Sequence, residues 1–116
     1  MLILIADDDA ATRELLRAVL YRGNTILEAK TSIEALEMIL DSKPDLAILD
    51  GNMPSGLGGA VGKCGLALLG IAKHAGVRAI LFTADRELAI YAQTEGYCAL
   101  VKGCSLTEIL KSVQGT

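Results

Sequence analysis

Five short runs rich in aliphatic residues, Leu2 to Ala6, Thr25 to Ala29, Leu46 to Leu49, Arg78 to Thr83 and Cys98 to Val101, alternate along the chain with segments of helical period. That alternation is the pattern of βαβ units, whose crossovers are right-handed and whose strands therefore run parallel in one sheet. The first unit shows it clearly. Leu2 to Ala6 suits a strand buried on both faces, and the next segment gathers Leu15, Leu16, Val19 and Leu20 on one stripe, with Arg13, Glu14 and Arg17 elsewhere. Gly23 and Asn24 end that helix, and Thr31 with Glu34 forms a capping-box signature ahead of Ile33, Leu36 and Leu40. Pro44 separates the second helix from the third strand, and a loop follows from Gly51 to Gly59. A third helix is expected over Ala60 to Ala75, with Leu66, Leu68, Leu69 and Ile71 in the core. Seven of the chain's 12 glycines fall between Gly51 and Gly70, and each glycine inside a helix costs about 1 kcal/mol relative to alanine. Asp85 opens the fourth helix, and Ser105-x-x-Glu108 opens the fifth before Leu106, Ile109, Leu110 and Val113.

Composition narrows the function classes. At 116 residues the chain is expected to be a single domain, 1–116, with no output domain attached. Its 52% hydrophobic and 22% charged residues describe a folded chain, and with one Phe and three Tyr the core must be aliphatic. A net charge of -3 offers no basic footprint, so direct contact with nucleic acid is not expected. Cys64, Cys98 and Cys104 are odd in number and form no CxxC pair, so buried free thiols are expected, and His74 completes no metal set. No basic residue precedes the apolar start, and no apolar stretch approaches the ~20 residues of a membrane span; a cytoplasmic location is expected.

In an open parallel sheet every strand's carboxyl end opens on one edge, where ligands of such folds bind. The residues just past each run are Asp7, Asp8 and Asp9 after the first, Asp50 after the third and Lys102 after the fifth, with Thr83 ending the fourth. The second run adds nothing similar, as suits an edge strand. Carboxylates gathered this closely repel by about 4 kcal/mol per pair at 4 Å and an effective dielectric near 20, so a positive group must offset them. Lys102 supplies one charge. An oxygen-only carboxylate set also suits a hard divalent cation, and cation plus lysine would make room for a phosphoryl group beside a carboxylate nucleophile. Asp9 and Asp85 each have the ordinary reading of a helix N-cap.

Four segments taken together, LILIADDD, AILDGNMP, ILFTA and LVKG, resemble the receiver domains of two-component response regulators, the CheY-like superfamily, over nearly the whole chain. The resemblance implies an α/β, doubly wound (βα)5 flavodoxin-like fold with a five-stranded parallel sheet in order 2-1-3-4-5. It implies that Asp50 accepts a phosphoryl group from a histidine kinase or histidine phosphotransferase. Asp7, Asp8 and Asp50, with the Asn52 backbone carbonyl, would hold Mg2+ (or Mn2+). Thr83, the Ala84 backbone N–H and Lys102 would contact the phosphoryl oxygens, and Met53-Pro54 would shape the loop. Such a domain phosphorylates and dephosphorylates itself and is not an enzyme acting on other substrates. Phosphorylation would shift the loop bearing Thr83 and alter the surface of helix four, strand five and helix five, where a downstream protein or a second copy would dock.

The chain departs from the family pattern in three places. Ala99 stands where the family commonly has Tyr or Phe, and strand alternation puts Tyr97 on the same face as a substitute ring. Gly103 follows Lys102 where many relatives have proline, and the stretch PSGLGGAVGKCGLALLGIAKHAG is long and rich in glycine. Ala99 and the glycine-rich stretch motivate an alternative, a phosphorylation-independent interaction module that keeps the pocket. A haloacid-dehalogenase-like phosphatase with Asp7-Asp8-Asp9 as its nucleophile motif fits less well, because it leaves AILDGNMP unexplained. A flavodoxin is less suitable still, since an acidic first loop would repel the flavin phosphate.

Overall fold

A computed structural model describes residues 1–54, 56 and 64–115. Its elements follow the expected alternation: β1 (Leu2–Ala6), α1 (Ala10–Leu20), β2 (Thr25–Ala29), α2 (Ser32–Ser42), β3 (Leu46–Leu49), α3 (Cys64–His74), β4 (Arg78–Thr83), α4 (Arg86–Thr94), β5 (Cys98–Val101) and α5 (Leu106–Gln114). The strands form one parallel sheet in the order β2-β1-β3-β4-β5, the doubly wound flavodoxin-like arrangement.

The two faces follow from the period of two along each strand. Ile3 and Ile5 of β1, Leu46 and Ile48 of β3 and Ile80 and Phe82 of β4 pack with Leu16 and Leu20 of α1 and Ile109 and Val113 of α5. The alternate residues Leu4, Ala6, Ala47, Leu49 and Leu81 pack with Ala35 and Ile39 of α2, Leu68 and Leu69 of α3 and Leu88 and Ala92 of α4. Leu66 and Ile71 pack partly buried against that second core.

Some local expectations shift. α1 ends at Leu20, before Gly23, and the Asn24 side-chain amide donates to the Leu20 carbonyl and helps close that end. The third helix was expected over Ala60 to Ala75; residues 60–63 lie outside the described residues, as do 55 and 57–59 of the expected loop, and the described helix ends at His74 with Ala75 in the following turn. Thr31 caps α2 by accepting the Glu34 N–H, but Glu34 turns back to the N–H of Lys30, so the reciprocal box forms only at Ser105 and Glu108. Leu15, Leu40, Leu106 and Leu110 lie on apolar stripes yet are exposed. Among the cysteines, all free, Cys64 and Cys104 are partly buried while Cys98 is exposed at the start of the edge strand β5, against the expectation of burial.

The ladders run one residue past the strands. Asp7 N–H donates to the Ala29 carbonyl, Asp50 N–H to Ala6 and Lys102 N–H to Thr83. Asp7, Asp50 and Lys102 therefore stand on backbone held by the sheet's own hydrogen bonds.

Candidate functional site

Asp7, Asp50 and Thr83 are the buried polar residues at the carboxyl edge, and Lys102 reaches across them. Its Nζ lies 2.8 Å from Asp7 Oδ2 and 3.5 Å from Asp50 Oδ1, so one ammonium joins the ends of β1, β3 and β5. Asp8 is exposed beside them, and one carboxylate oxygen from each of Asp7, Asp8 and Asp50 can lie within 4.8 Å of the other two. Asn52 N–H approaches Asp50 Oδ1 at 3.5 Å, and Met53, almost wholly buried, anchors the loop after Asp50. Thr83 Oγ1 accepts the Asp85 N–H at 3.1 Å, which leaves the hydroxyl proton for another acceptor. Ala84 follows it, exposed at the rim. Asp7, Asp8, Asp50, Asn52, Thr83, Ala84 and Lys102 thus fall within one edge, as their positions after the strands imply.

Electrostatics distinguishes the carboxylates. Burial, then the negative charge of Asp7, pushes the Asp50 carboxyl up to about 6; Lys102 and the Asn52 N–H pull the other way, and Asp8 adds to the rise. For Lys102, burial works against the charged form, but the hydrogen bond and charge of Asp7, with the charge of Asp50, hold the ammonium above its ordinary value. Three carboxylates against one lysine leave an unbalanced negative charge. Hard oxygen donors with excess negative charge fit magnesium or manganese.

The neighbouring acids are absorbed by helix ends. Asp9 caps α1, with its oxygens accepting from Ala11 N–H and Thr12 Oγ1, and these bonds, Thr12 first, hold its carboxyl below the ordinary value. Asp85 caps α4 through the Leu88 N–H. A nucleophilic role for Asp7 is disfavoured by its contacts: one oxygen faces Lys102, the other accepts the Asp9 N–H at 2.9 Å, and the residue is 2% exposed.

Two departures from the family pattern gain a physical reading. Gly103 has φ +97, and its turn lets Cys104 N–H donate to the Val101 carbonyl; proline, locked near -65°, has no place there. Tyr97 does share the face of Ala99, since both pack on the same core. It nonetheless stands before β5, at the opposite edge of the sheet from Thr83, with Lys73 Nζ 5.8 Å from its ring centroid and Gly70 beside its hydroxyl. The expected substitution for the absent ring is therefore corrected.

Sequence reasoning treated the glycines after Asp50 as a cost to helix three and missed what two of them permit. A Cβ on Gly51 would fall 2.4 Å from Leu88 Cδ2 and 2.8 Å from Thr83 Oγ1, and one on Gly65 would fall 2.5 Å from the Asp50 carbonyl oxygen. Both positions admit only a hydrogen, and Gly65 N–H donates to the Gly51 carbonyl across that contact. Also missed was Glu28, the one charge inside the strand TILEA, which meets Arg13 and Arg17 of α1. The lone acid in an apolar strand, facing two arginines four residues apart, was the available signal.

Comparison with known proteins agrees with this geometry. The family model described as the response regulator receiver domain matches residues 3–114. Response regulator MprA of Mycobacterium ulcerans (strain Agy99) is 49% identical over 53 residues, 45% of this chain and 23% of that protein. MprA of Mycobacterium avium (strain 104) is 46% identical over 55 residues, 47% of this chain and 24% of that protein. The match thus spans about a quarter of these curated relatives. The CheY-like receiver domain protein from Methanospirillum hungatei JF-1 superposes with TM-score 0.77 at 25% identity, covering 97% of this chain and 90% of that one. A receiver domain protein from Clostridium thermocellum gives TM-score 0.78, also at 25% identity and with the same coverage. Among the described residues no helix is long and apolar enough to cross a membrane. With the acidic edge, the sheet order and a match over 3–114 in agreement, the chain belongs to the response regulator receiver domain family of two-component systems.

Proposed function

We propose that Asp50 accepts a phosphoryl group from a phosphohistidine on a histidine kinase or phosphotransferase, and that the modified domain changes its protein contacts. The observation that carries this reading is the single ammonium of Lys102 between Asp7 and Asp50, with Thr83 closing the same pocket. At neutral pH the Asp50 carboxyl, at about 6, is largely ionised and able to attack. One Asp50 oxygen bonds to phosphorus while the phosphorus–nitrogen bond breaks; the electron pair stays on the imidazole nitrogen, which takes a proton from solvent. Lys102 Nζ pairs with one phosphoryl oxygen, and the Thr83 hydroxyl and the Ala84 N–H donate to others. Asp7, Asp8, Asp50 and the Asn52 carbonyl are the groups that would hold a divalent cation. A cation there offsets the charge that otherwise repels an incoming phosphoryl group.

The change acts on the domain itself, and its output falls to a surface. α4 and α5 carry exposed Ile90, Tyr91, Leu106 and Leu110, which supports a downstream protein or a second copy docking on the α4–β5–α5 side. Intact mass after incubation with acetyl phosphate, with and without Mg2+, tests the chemistry. A Mg2+-dependent gain of one phosphoryl group in the native chain and none in Asp50→Asn is expected. Ala99, too small to act as a moving ring, favours the second reading of a module that binds without phosphorylation, and absence of any mass gain would select it.

A further inference from the structure

Outside the acidic pocket, the most elaborate ionic arrangement among the described residues lies behind it, between α1 and the edge strand β2. Glu28 points to the α1 side of the sheet, the side where Ile26 also packs. One of its oxygens takes Arg13 Nε at 3.2 Å, and the other takes the guanidinium of Arg17. Arg13 is the inner partner, its side chain 11% exposed against 53% for Arg17. Its remaining reach goes to the acidic loop, where Nη1 donates to the Asp7 backbone carbonyl at 2.8 Å.

That bond has a geometric consequence for the pocket. A peptide is planar, so fixing the carbonyl of residue 7 also fixes the N–H and Cα of residue 8. The preceding peptide is already held by the Asp7 N–H on Ala29, and the Asp7 carboxylate by Lys102 and the Asp9 N–H. Asp8 differs: among the described residues its carboxylate has no hydrogen-bond or ion-pair partner. Its direction is set by its own backbone, whose following peptide is held by the Asp9 N–H on Asp7 Oδ1 and whose preceding peptide is clamped at the Asp7 carbonyl by Arg13.

We propose that Arg13, braced by Glu28, is a positioning residue that aims Asp8 at the cation site by clamping the peptide between Asp7 and Asp8. The inference rests on the reading of that site as Mg2+-dependent. Arginine suits the task because its planar fork serves the carboxylate and the carbonyl at once, whereas a lysine ammonium on a flexible stem orients neither partner with the same fixity.

The test reads Mg2+ binding directly, as the half-saturating Mg2+ concentration in calorimetric titration without a phosphodonor, and separately the rate of phosphorylation by acetyl phosphate at saturating Mg2+ through intact mass. For Arg13→Met the half-saturating concentration should rise about tenfold while the saturated rate stays within about twofold, the pattern of a lost outer support to a cation ligand. Arg17→Met, which removes a bond to the same glutamate without touching the loop, should leave half-saturation within about 1.5-fold of the native value, a change of only ~0.2 kcal/mol. Glu28→Ala, on an edge strand, should move it in the same direction as Arg13→Met but less. An unchanged half-saturation in Arg13→Met overturns the inference, as does an equal rise in Arg17→Met, which would mark general damage to α1. If circular dichroism shows Arg13→Met unfolded, Glu28→Ala decides, and no rise there overturns the inference. A native chain that gains no mass with Mg2+ removes the reading beneath it, an outcome distinct from all of these.

Discussion

Replacing Asp50 by asparagine should make the metal-free protein more stable at neutral pH, although it removes the residue at the centre of the site. The carboxyl is 5% exposed and shifted from 3.8 to about 6, first by burial and then by the charge of Asp7. A rise of roughly two pKa units corresponds to about 3 kcal/mol of unfavourable energy for the ionised form in the fold. The sign follows from proton counting. Between pH 4 and 6 the folded chain holds the Asp50 proton and the unfolded chain has lost it, so stability falls as pH rises through that window and is low above it. Asp9 and Glu28 carry lowered values and act oppositely, losing their contribution only as pH falls below the ordinary carboxylate range. Urea unfolding in EDTA from pH 4 to 8 separates the two effects. Native protein should lose about 2 kcal/mol between pH 4.5 and 7.5, while Asp50→Asn should stay nearly flat and exceed it by about 2 to 3 kcal/mol at pH 7.5. Added Mg2+ should narrow that gap by stabilising the native chain, about 1.4 kcal/mol at ten times its dissociation constant, with little effect on the variant. An asparagine variant less stable than native protein at pH 7.5 in EDTA would refute the argument that the pocket holds Asp50 at an electrostatic cost.

Gly65→Ala should destabilise the domain by about 1 to 3 kcal/mol despite alanine's better helix propensity, because the new methyl meets the Asp50 carbonyl at 2.5 Å; equal midpoints in urea would contradict this. Asp85→Ala removes the cap of α4 and should cost about 1 kcal/mol by the same measurement. Arg78 donates to the Val113 carbonyl at 2.7 Å and to Ser112, so Arg78→Met should cost about 1 kcal/mol and speed amide exchange in the last turn of α5, with unchanged exchange counting against the clamp. In a thiol titration at pH 7.5, Cys98 should react first because it is exposed, and Cys104 slowly because burial, then the charge of Glu108, raises its thiol; modification of Cys104 ahead of Cys98, read by peptide mass, would reverse that order.

Strand positions were legible in the sequence because each buried strand is a short apolar run ended by a polar residue, and those polar ends are the site. Asp7, Asp50, Thr83 and Lys102 could be placed on one edge from handedness alone, since parallel strands bring all their carboxyl ends together. The caps at Asp9, Asp85 and Ser105 were equally local, resting on a side chain and an N–H two or three residues away. What escaped were contacts between segments distant in sequence. Whether Gly65 weakens a helix or admits the Asp50 carbonyl depends on how α3 docks, and that is set by residues such as Leu68 and Leu69 packing on the sheet. Tyr97 illustrates the same limit from the other side. Period-two alternation assigned its face correctly, but distance along the strand, four residues' travel back from Val101, decides which edge the ring serves.

The same packing bears on how a change at Asp50 reaches the surface of a chain that has Ala99 in place of a ring. Leu88 of α4 and Thr83 both crowd the point where a Cβ on Gly51 would stand, so the two side chains meet on the same side of that glycine. On the proposed reading, a phosphoryl group on Asp50 would have to be accommodated between Thr83 and Lys102, both now drawn to their present partners Asp85 and Asp7. Any displacement of Gly51 or Thr83 therefore presses first on Leu88, whose helix also carries the exposed Ile90 and Tyr91. Gln93 of the same helix donates to the Ala99 carbonyl at 2.9 Å, so α4 is tied to β5 at the position that lacks the aromatic residue. If Asp50 accepts a phosphoryl group as proposed, a path from it to the surface through Leu88 and Gln93 on one helix would need no ring between them.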